Sequence, residues 1–351
     1  MSEFNIPVVL FIFRRAEKSQ EIIRRIAQVR PKKLYILSDE GRNEDEKAQV
    51  KVCREAVEAA IDWPCEVILD YAEENRGVYR NIGEGSLRVF EKEEFAIFLE
   101  DDNLPEVSFF CFCEEMLRKY KDDQKVLWIC GTNYLGEYDC ADGEDYKFTQ
   151  HMLPCGWASW SHKFSKLYDG KMSFLEKSDA LKTLRKKFGT RKLYKFYLPS
   201  LLFEYNLIKQ GLQPISWDYQ MCLSIRANDL YGIVPTKNQI KNIGVDELST
   251  HGGTSFDNVM TQRYCGMDSY AMTAPYSGPS EVKIDSKFER KLESIVVYPL
   301  KMRIKIEIVN FTRKIFKLDE QANIQKFLLG MLLGAFLLLL LIIFIVAVLN
   351  N

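Results

Sequence analysis

Residues 95–105 read FAIFLEDDNLP. A wholly apolar run, Phe95 to Leu99, stops abruptly at three adjacent carboxylates, Glu100, Asp101 and Asp102. A segment apolar on both faces suits a strand buried between helices in a parallel sheet. The same kind of run occurs three times upstream: PVVLFIF (7–13), KLYILSD (33–39) and CEVILDY (65–71). Helical patterns separate them. In RRAEKSQEIIRRIAQV (14–29), Ile22, Ile23, Ile26 and Val29 share a face, and in 43–61 the stripe is Ala48, Val52, Ala56 and Ala60. A loop with Asn75, Gly77, Gly83 and Gly85 leads into helical SLRVFEK (86–92). The resulting βαβαβαβ order predicts an α/β, doubly wound and mainly parallel sheet. Ligands of such sheets sit beyond the carboxyl ends of the strands, where this chain places Arg14 and Arg15, Asp39, and the acidic triplet.

Three neighbouring carboxylates repel one another, and a divalent cation removes that cost. Hard oxygen ligands select Mg2+ or Mn2+, typically through one or two carboxylates plus substrate phosphates. An exposed acidic turn is the plainer account of the same residues. A dinucleotide fingerprint is missing: the turn after the first strand reads FRRAEKS, with no GxGxxG, and no GxxxxGK[ST] occurs. IGEG (82–85) is a weak phosphate-loop candidate on its own.

The second half carries different patterns. CGWASW (155–160) spaces Trp157 and Trp160 three apart, and SWDY (216–219) sets Asp218 between Trp217 and Tyr219. Rings beside a carboxylate suit a sugar-binding cleft, with the acid as general base; core packing and a buried, satisfied acid are the alternatives. STHGGTS (249–255) offers His251 as a metal or phosphate ligand, or as a plain loop histidine.

Composition bounds the rest. At roughly 150 residues per domain, 351 residues make about two domains. Lys plus Arg (48) against Asp plus Glu (49) leaves a net charge of -1, which argues against a protein built to coat nucleic acid. A mean hydropathy of -0.20 excludes a polytopic membrane protein. Nine scattered Cys, an odd count, and only three His point to free thiols in a reducing compartment and away from structural zinc.

Taken together, FLEDDNLPEVSFFCF (98–112), GWASW (156–160), WDYQ (217–220) and NIGVDELSTH (242–251) resemble the inverting, nucleotide-sugar-dependent glycosyltransferases of the GT-A fold. The nearest likeness is to bacterial family-2-like sugar transferases, sometimes labelled hemolytic-protein-like. These in turn resemble the N-acetylglucosaminyltransferases that begin complex N-glycans. The resemblance covers about residues 5–260. It implies a Rossmann-like GT-A catalytic domain and transfer of a sugar, from a UDP-sugar, to a hydroxyl of a lipid-linked or glycan acceptor in surface polysaccharide synthesis. Asp102 would hold Mn2+ or Mg2+, while Asp101 and Glu100 would hold the ribose and donor sugar. Arg14 or Arg15 would contact the nucleotide, and the turn Ser38-Asp39-Glu40-Gly41 the uracil, although Glu40 is inserted into the usual pattern. Asp218 would be the catalytic base, and His251 would join a loop over the donor phosphates, with the metal. Trp157, Trp160, Trp217 and Tyr219 would line the sugar cleft. A nucleotidyltransferase-like enzyme, releasing pyrophosphate, and a non-catalytic scaffold on the same fold are the competing classes.

The chain also carries an apolar tail. Residues 327–349 hold no charge; at ~1.5 Å per residue they span about 34 Å, against a hydrocarbon core of about 30 Å. Lys314, Lys317 and Lys326 precede this run and only Asn350 and Asn351 follow, so the positive-inside rule predicts one C-terminal transmembrane anchor with the catalytic part in the cytoplasm. Gly330 and Gly334 form a GxxxG step compatible with a homodimer. Ahead of the anchor, 301–326 holds seven basic and three acidic residues. Ile304, Ile308, Phe311, Ile315 and Leu318 follow helical spacing, predicting an amphipathic helix on an anionic inner leaflet, although MRIKIEI (302–308) alternates like a strand. KTLRKKFGTRKLYK (182–195) holds seven cations and no acid, as a solvated face or a lipid or acceptor contact would. The expected parts are a nucleotide-sugar-binding half (1–125), an acceptor-binding half (126–290), the amphipathic segment (291–326) and the anchor (327–349).

Overall fold

The computed structural model describes residues 4–140, 142–249 and 253–316. One compact unit runs to Val297 and a second begins at Tyr298. The strands are β1 (Val8–Ile12), β2 (Lys33–Ser38), β3 (Glu66–Tyr71), β4 (Phe95–Glu100), β5 (Asn103–Pro105), β6 (Val126–Cys130), β7 (Tyr146–Thr149), β8 (Trp157–Trp160), β9 (Tyr231–Pro235) and β10 (Ile240–Asn242). The helices are α1 (Ala16–Ile26), α2 (Glu44–Ala59), α3 (Gly85–Phe90), α4 (Val107–Lys119), α5 (Ser161–Leu167), α6 (Ala180–Lys187), α7 (Arg191–Lys209), α8 (Asp218–Ala227), α9 (Val259–Cys265) and α10 (Ser286–Val296). In the second unit, α11 spans Leu300–Phe316.

The four apolar runs become β1 to β4, all mutually parallel, within a sheet of order β3-β2-β1-β4-β8-β6-β9-β7. The fold is therefore mixed α/β with a mostly parallel sheet, as the alternating pattern predicts. Two strands run the other way: β8, which separates β4 from β6, and β7 at the edge. Both expected halves contribute strands to this one sheet. A small two-stranded ladder, β10 with β5, then hangs residues 240–242 just past the acidic end of β4.

Burial of β4 fixes the middle of the core. The Phe98 ring stacks on Trp157 at 3.9 Å, and Trp157 stacks on Trp128 at 4.2 Å and Trp217 at 5.5 Å. Trp157 and Trp160 are 1% and 0% exposed, so they do not wall a sugar cleft. They are core residues, because β8 lies in the sheet interior and its side chains meet packed layers on both faces. The Trp160 indole N–H donates to Leu117 O at 2.9 Å.

Other expectations shift in detail. α1 buries Ile22, Ile23 and Ile26 as expected. α2 buries Glu46, Val50, Cys53 and Val57 in place of the alanine stripe, leaving Val52 57% exposed. The buried face offers more apolar surface, and Glu46 is accommodated there by ion pairs to Arg14 and Arg42. The segment around Gly83 and Gly85 is helical: a π-helical turn at Tyr79–Glu84 runs directly into α3. Both glycines are buried, and a Cβ on Gly85 would sit 2.8 Å from Leu37 Cδ2, so they permit close helix packing and make no phosphate loop. The tract 182–195 forms the end of α6, a turn with Gly189 at φ +71°, and the start of α7. Its Lys187 and Lys192 pair with Asp229 and Glu293.

Trp157→Ala should lower stability by about 3–5 kcal/mol, because it empties the centre of a ring stack that cannot collapse. Urea unfolding followed by circular dichroism measures this; a loss within the range of a surface substitution would contradict the packing described.

Candidate active site

A cleft of about 540 Å3 opens across the carboxyl ends of β1, β2 and β4. Arg14, Arg15, Asp39, Glu100, Asp101 and Asp102 all line it. The topology explains this convergence: parallel strands start their outgoing turns at the same edge, so residues 14–15, 39 and 100–102, far apart in sequence, become neighbours.

Arg15 is the centre of the arrangement. One of its nitrogens, Nη1, donates to Asp101 Oδ1 at 3.1 Å and to Asp102 Oδ2 at 3.2 Å. The other, Nη2, reaches Gly244 O at 3.3 Å and Asp246 Oδ1 at 3.4 Å. Lys18 also pairs with Asp246. Asp101 accepts a further hydrogen bond from the Phe13 backbone N–H, and Asp102 one from the Asn103 amide. Among the described residues no donor reaches the Glu100 carboxylate.

These contacts do not cancel the crowding. Burial, then the neighbouring charge of Asp102, pushes Asp101 up to about 6 despite Arg15. Asp102 is also raised by burial, against the pull of Arg15, Lys18 and Asn103. Glu100 lies well above the ordinary carboxylate range, through burial and then the charges of Asp102, Asp101 and Asp218. The last of these causes links the two halves: Asp218 starts α8, outside the first half, yet its charge acts on Glu100. Asp218 accepts a hydrogen bond from the Ser216 hydroxyl. Asp246 behaves oppositely; burial opposes it, but Lys18 and Arg15 hold it below the usual range.

Asp39 has a scaffolding part. Its carboxylate accepts from the backbone N–H groups of Glu40, Arg76 and Gly77 and from the Asn75 amide, at 2.6–3.1 Å. It thereby fixes the loop whose Gly77 adopts φ +73°. The inserted Glu40 pairs with Arg54, which also holds Ser38 Oγ and the carbonyls of Asp39 and Ala72. Arg14 pairs with Glu46, which Arg42 above all holds down at about 2.

Asn81 is a cleft residue that the sequence patterns do not mark. Among the described residues, Asn81 Oδ1 and Arg14 Nε are buried without a hydrogen-bond partner, which leaves both able to meet a ligand. Asn81 sits in the π-helical turn, a geometry often associated with functional sites but invisible in residue spacing. The segment after β10 closes one side. Its Ile243 N–H donates to Asp102 O at 2.9 Å, and a Cβ on Gly244 would meet Asp102 Oδ2 at 2.2 Å, so only glycine lets the backbone lie on the acid. Leu248 and Ser249 continue into the cleft wall, and His251 lies outside the described residues. Trp217 is buried in the ring stack beneath the site, and Tyr219 is half-buried, edge-on to Tyr197 at 6.5 Å.

Among the described residues, no three His, Cys, Asp or Glu side chains already converge as a metal cage. The donor chemistry nevertheless fits a hard divalent cation: Asp101 and Asp102 both turn an oxygen toward one positive centre, now the Arg15 nitrogen, and Glu100 has no ion-pair partner among the described residues. Hard carboxylates that supply only part of a coordination shell, leaving room for phosphate oxygens, are what Mg2+ and Mn2+ require.

The chain matches no protein-family profile and no curated protein. Solved structures with partial likeness include a mannosyltransferase from Pyrobaculum calidifontis in complex with GDP-Man and Mn2+, 13% identical over 64% of this chain and 69% of that one, with a TM-score of 0.36. Mouse xyloside xylosyltransferase 1 is 11% identical over 64% of this chain and 84% of that one, TM-score 0.32. A 4-diphosphocytidyl-2C-methyl-D-erythritol synthase from Anaerococcus prevotii is 9% identical over 53% and 85%, TM-score 0.32. With likeness this low, the reading of the site rests on its own geometry.

The raised acids set a pH dependence. Asp101 moves from an ordinary 3.8 to about 6, so the folded chain keeps a proton that the unfolded chain loses, and stability falls as pH rises between these values. A divalent cation offsets that loss only where the acids are ionised. Millimolar Mn2+ should therefore raise the melting temperature at about pH 7.5 and much less at about pH 5. Equal shifts at both values, or none at either, in a thermal melt would contradict this account.

Proposed function

We propose that the protein is an inverting glycosyltransferase of the GT-A type that uses a nucleotide-sugar donor, a UDP-sugar in the first instance. The observation that carries the reading is the placement of Glu100, Asp101, Asp102 and Arg15 at the carboxyl edge of a parallel sheet, lining one cleft; Asp218, which is not itself in that lining, supports it through the effect of its charge on Glu100.

The roles follow from charge and position. The unpaired groups of Arg14 and Asn81 suit the nucleotide, together with the loop that Asp39 organises. Asp102, with Asp101 and Glu100, would hold Mn2+ or Mg2+, whose charge would offset that of a nucleoside diphosphate leaving group. Arg15 supplies a fixed positive charge at the same edge and orients both aspartates. Asp218 takes the proton of the acceptor hydroxyl. As that oxygen bonds to the anomeric carbon, the bond from this carbon to the diphosphate oxygen breaks, and its electron pair leaves with the diphosphate. Attack from the face opposite the leaving group inverts the configuration. No enzyme nucleophile is needed, and the acceptor hydroxyl belongs to a lipid-linked or other glycan.

The full chain, incubated with nucleotide sugars, Mn2+ and glycolipid acceptors, should release nucleoside diphosphate and give a product of inverted anomeric configuration by NMR. Asp102→Ala and Asp218→Asn should each lower turnover by about 100-fold or more while the fold is retained. Wild-type turnover in both variants would overturn the mechanism. Release of pyrophosphate from a nucleoside triphosphate and a sugar phosphate would replace it with nucleotidyl transfer.

A further inference from the structure

The helix α11 presents a face that the chemistry above does not use. Residues 302–308, whose alternation also suited a strand, are helical. Ile304, Ile308, Phe311 and Ile315 are 51%, 50%, 66% and 55% exposed. Their steps of four, three and four residues place them on a single side of the helix. Such a stripe on a helix of a water-soluble domain is ordinarily covered.

The charges are arranged around this stripe. α11 holds Lys301, Arg303, Lys305, Arg313 and Lys314 against the single acid Glu307. At about 100° per residue, Lys301 and Lys305 border one edge of the stripe, and Arg303 and Lys314 border the other. Long basic side chains at such borders lay their methylene stems along an apolar surface and extend their charged heads away from it. Ten residues beyond α11 the sequence enters the uncharged run 327–349; these residues lie outside the described ones, and among the described residues no helix is long and apolar enough to cross a membrane.

We infer that α11 lies in the plane of an anionic lipid surface, its Ile/Phe stripe at the boundary between head groups and acyl chains and its bordering cations on lipid phosphates. A second copy of the chain is the poorer occupant, since two such helices bring like charge together along both borders of the stripe. The inference does not rest on the catalytic reading, and stands or falls without it.

The native tryptophans make the test clean, because Trp63, Trp128, Trp157, Trp160 and Trp217 are all buried. Ile308→Trp places a probe in the stripe, and Asn310→Trp places one on an exposed position of the opposite side. The full chain carrying each substitution is reconstituted in vesicles containing acyl-brominated lipid, with phosphatidylglycerol or with phosphatidylcholine alone. The emission of Ile308→Trp should be quenched and blue-shifted, while that of Asn310→Trp stays unquenched. Quenching should be at least about twofold greater in the anionic vesicles at low salt. Replacing Arg303, Lys305 and Lys314 together with Gln should remove that lipid preference. Equal quenching at both positions would mean a helix immersed on all sides, and no quenching at either would mean solvent or a protein partner; each overturns the inference. So would quenching indifferent to lipid charge.

Discussion

The arrangement of the cleft depends on one guanidinium. Arg15 touches Asp101 and Asp102 on the sheet and Gly244 and Asp246 on the closing segment. Without a positive charge there, adjacent carboxylates would be left buried and uncompensated, a far greater cost than an exposed pair imposes. The same side chain therefore does two things. It makes the acidic edge tolerable in the folded chain, and it ties residues from the first and second halves of the sequence across one site. Phe13 and Lys18, on either side of Arg15, reinforce it by binding Asp101 and Asp246. The exit of β1 thus acts as a short electrostatic clasp that joins the two halves of the sequence.

The fold supports that edge from below. β4 ends at Glu100, and its Phe98 ring sits at the middle of the aromatic stack. The stack cannot relax without moving the strand that carries the acids. Asn103, one residue past Asp102, accepts a hydrogen bond from the Gly156 N–H at 2.8 Å, and Gly156 at φ +62° lets β8 turn into place beside β4. A packed apolar layer and a hydrogen-bonded turn thus hold the carboxylates in a position their own repulsion opposes. Functional sites commonly carry local cost of this kind, which the surrounding structure offsets.

Much of this could be read from the sequence because it rests on short-range pattern. Four apolar runs ending in polar residues identify four parallel strands and the edge where a ligand would sit. What the sequence did not disclose depends on tertiary contact. Trp157 and Trp160 read from sequence as a sugar cleft, with core packing the alternative, and only the insertion of β8 between β4 and β6 decides for the core. The regular alanine stripe of α2 points to the wrong face, because burial follows the larger Val50 and Val57 and a glutamate whose partners, Arg14 and Arg42, lie outside the helix. Asn81 carries no motif, and Gly244 and Asp246 lie inside the NIGVDELSTH stretch without a role of their own being legible there. Each matters through its neighbours, and spacing within one segment contains no trace of them.

The carboxylates of the site also divide into two kinds, and the division has chemical meaning. Asp101 and Asp102 share a permanent cation and, with Glu100, crowd together at a strand end, an environment that would suit a hard divalent cation. Asp218 stands at the start of a helix with a neutral hydroxyl for its hydrogen-bond partner. An enzyme that must bind a polyanion and also accept a proton needs carboxylates in unlike surroundings, since one environment cannot serve both tasks. The strand end offers the first kind of surrounding and the start of α8 the second, and the charge of Asp218 is among those that raise Glu100.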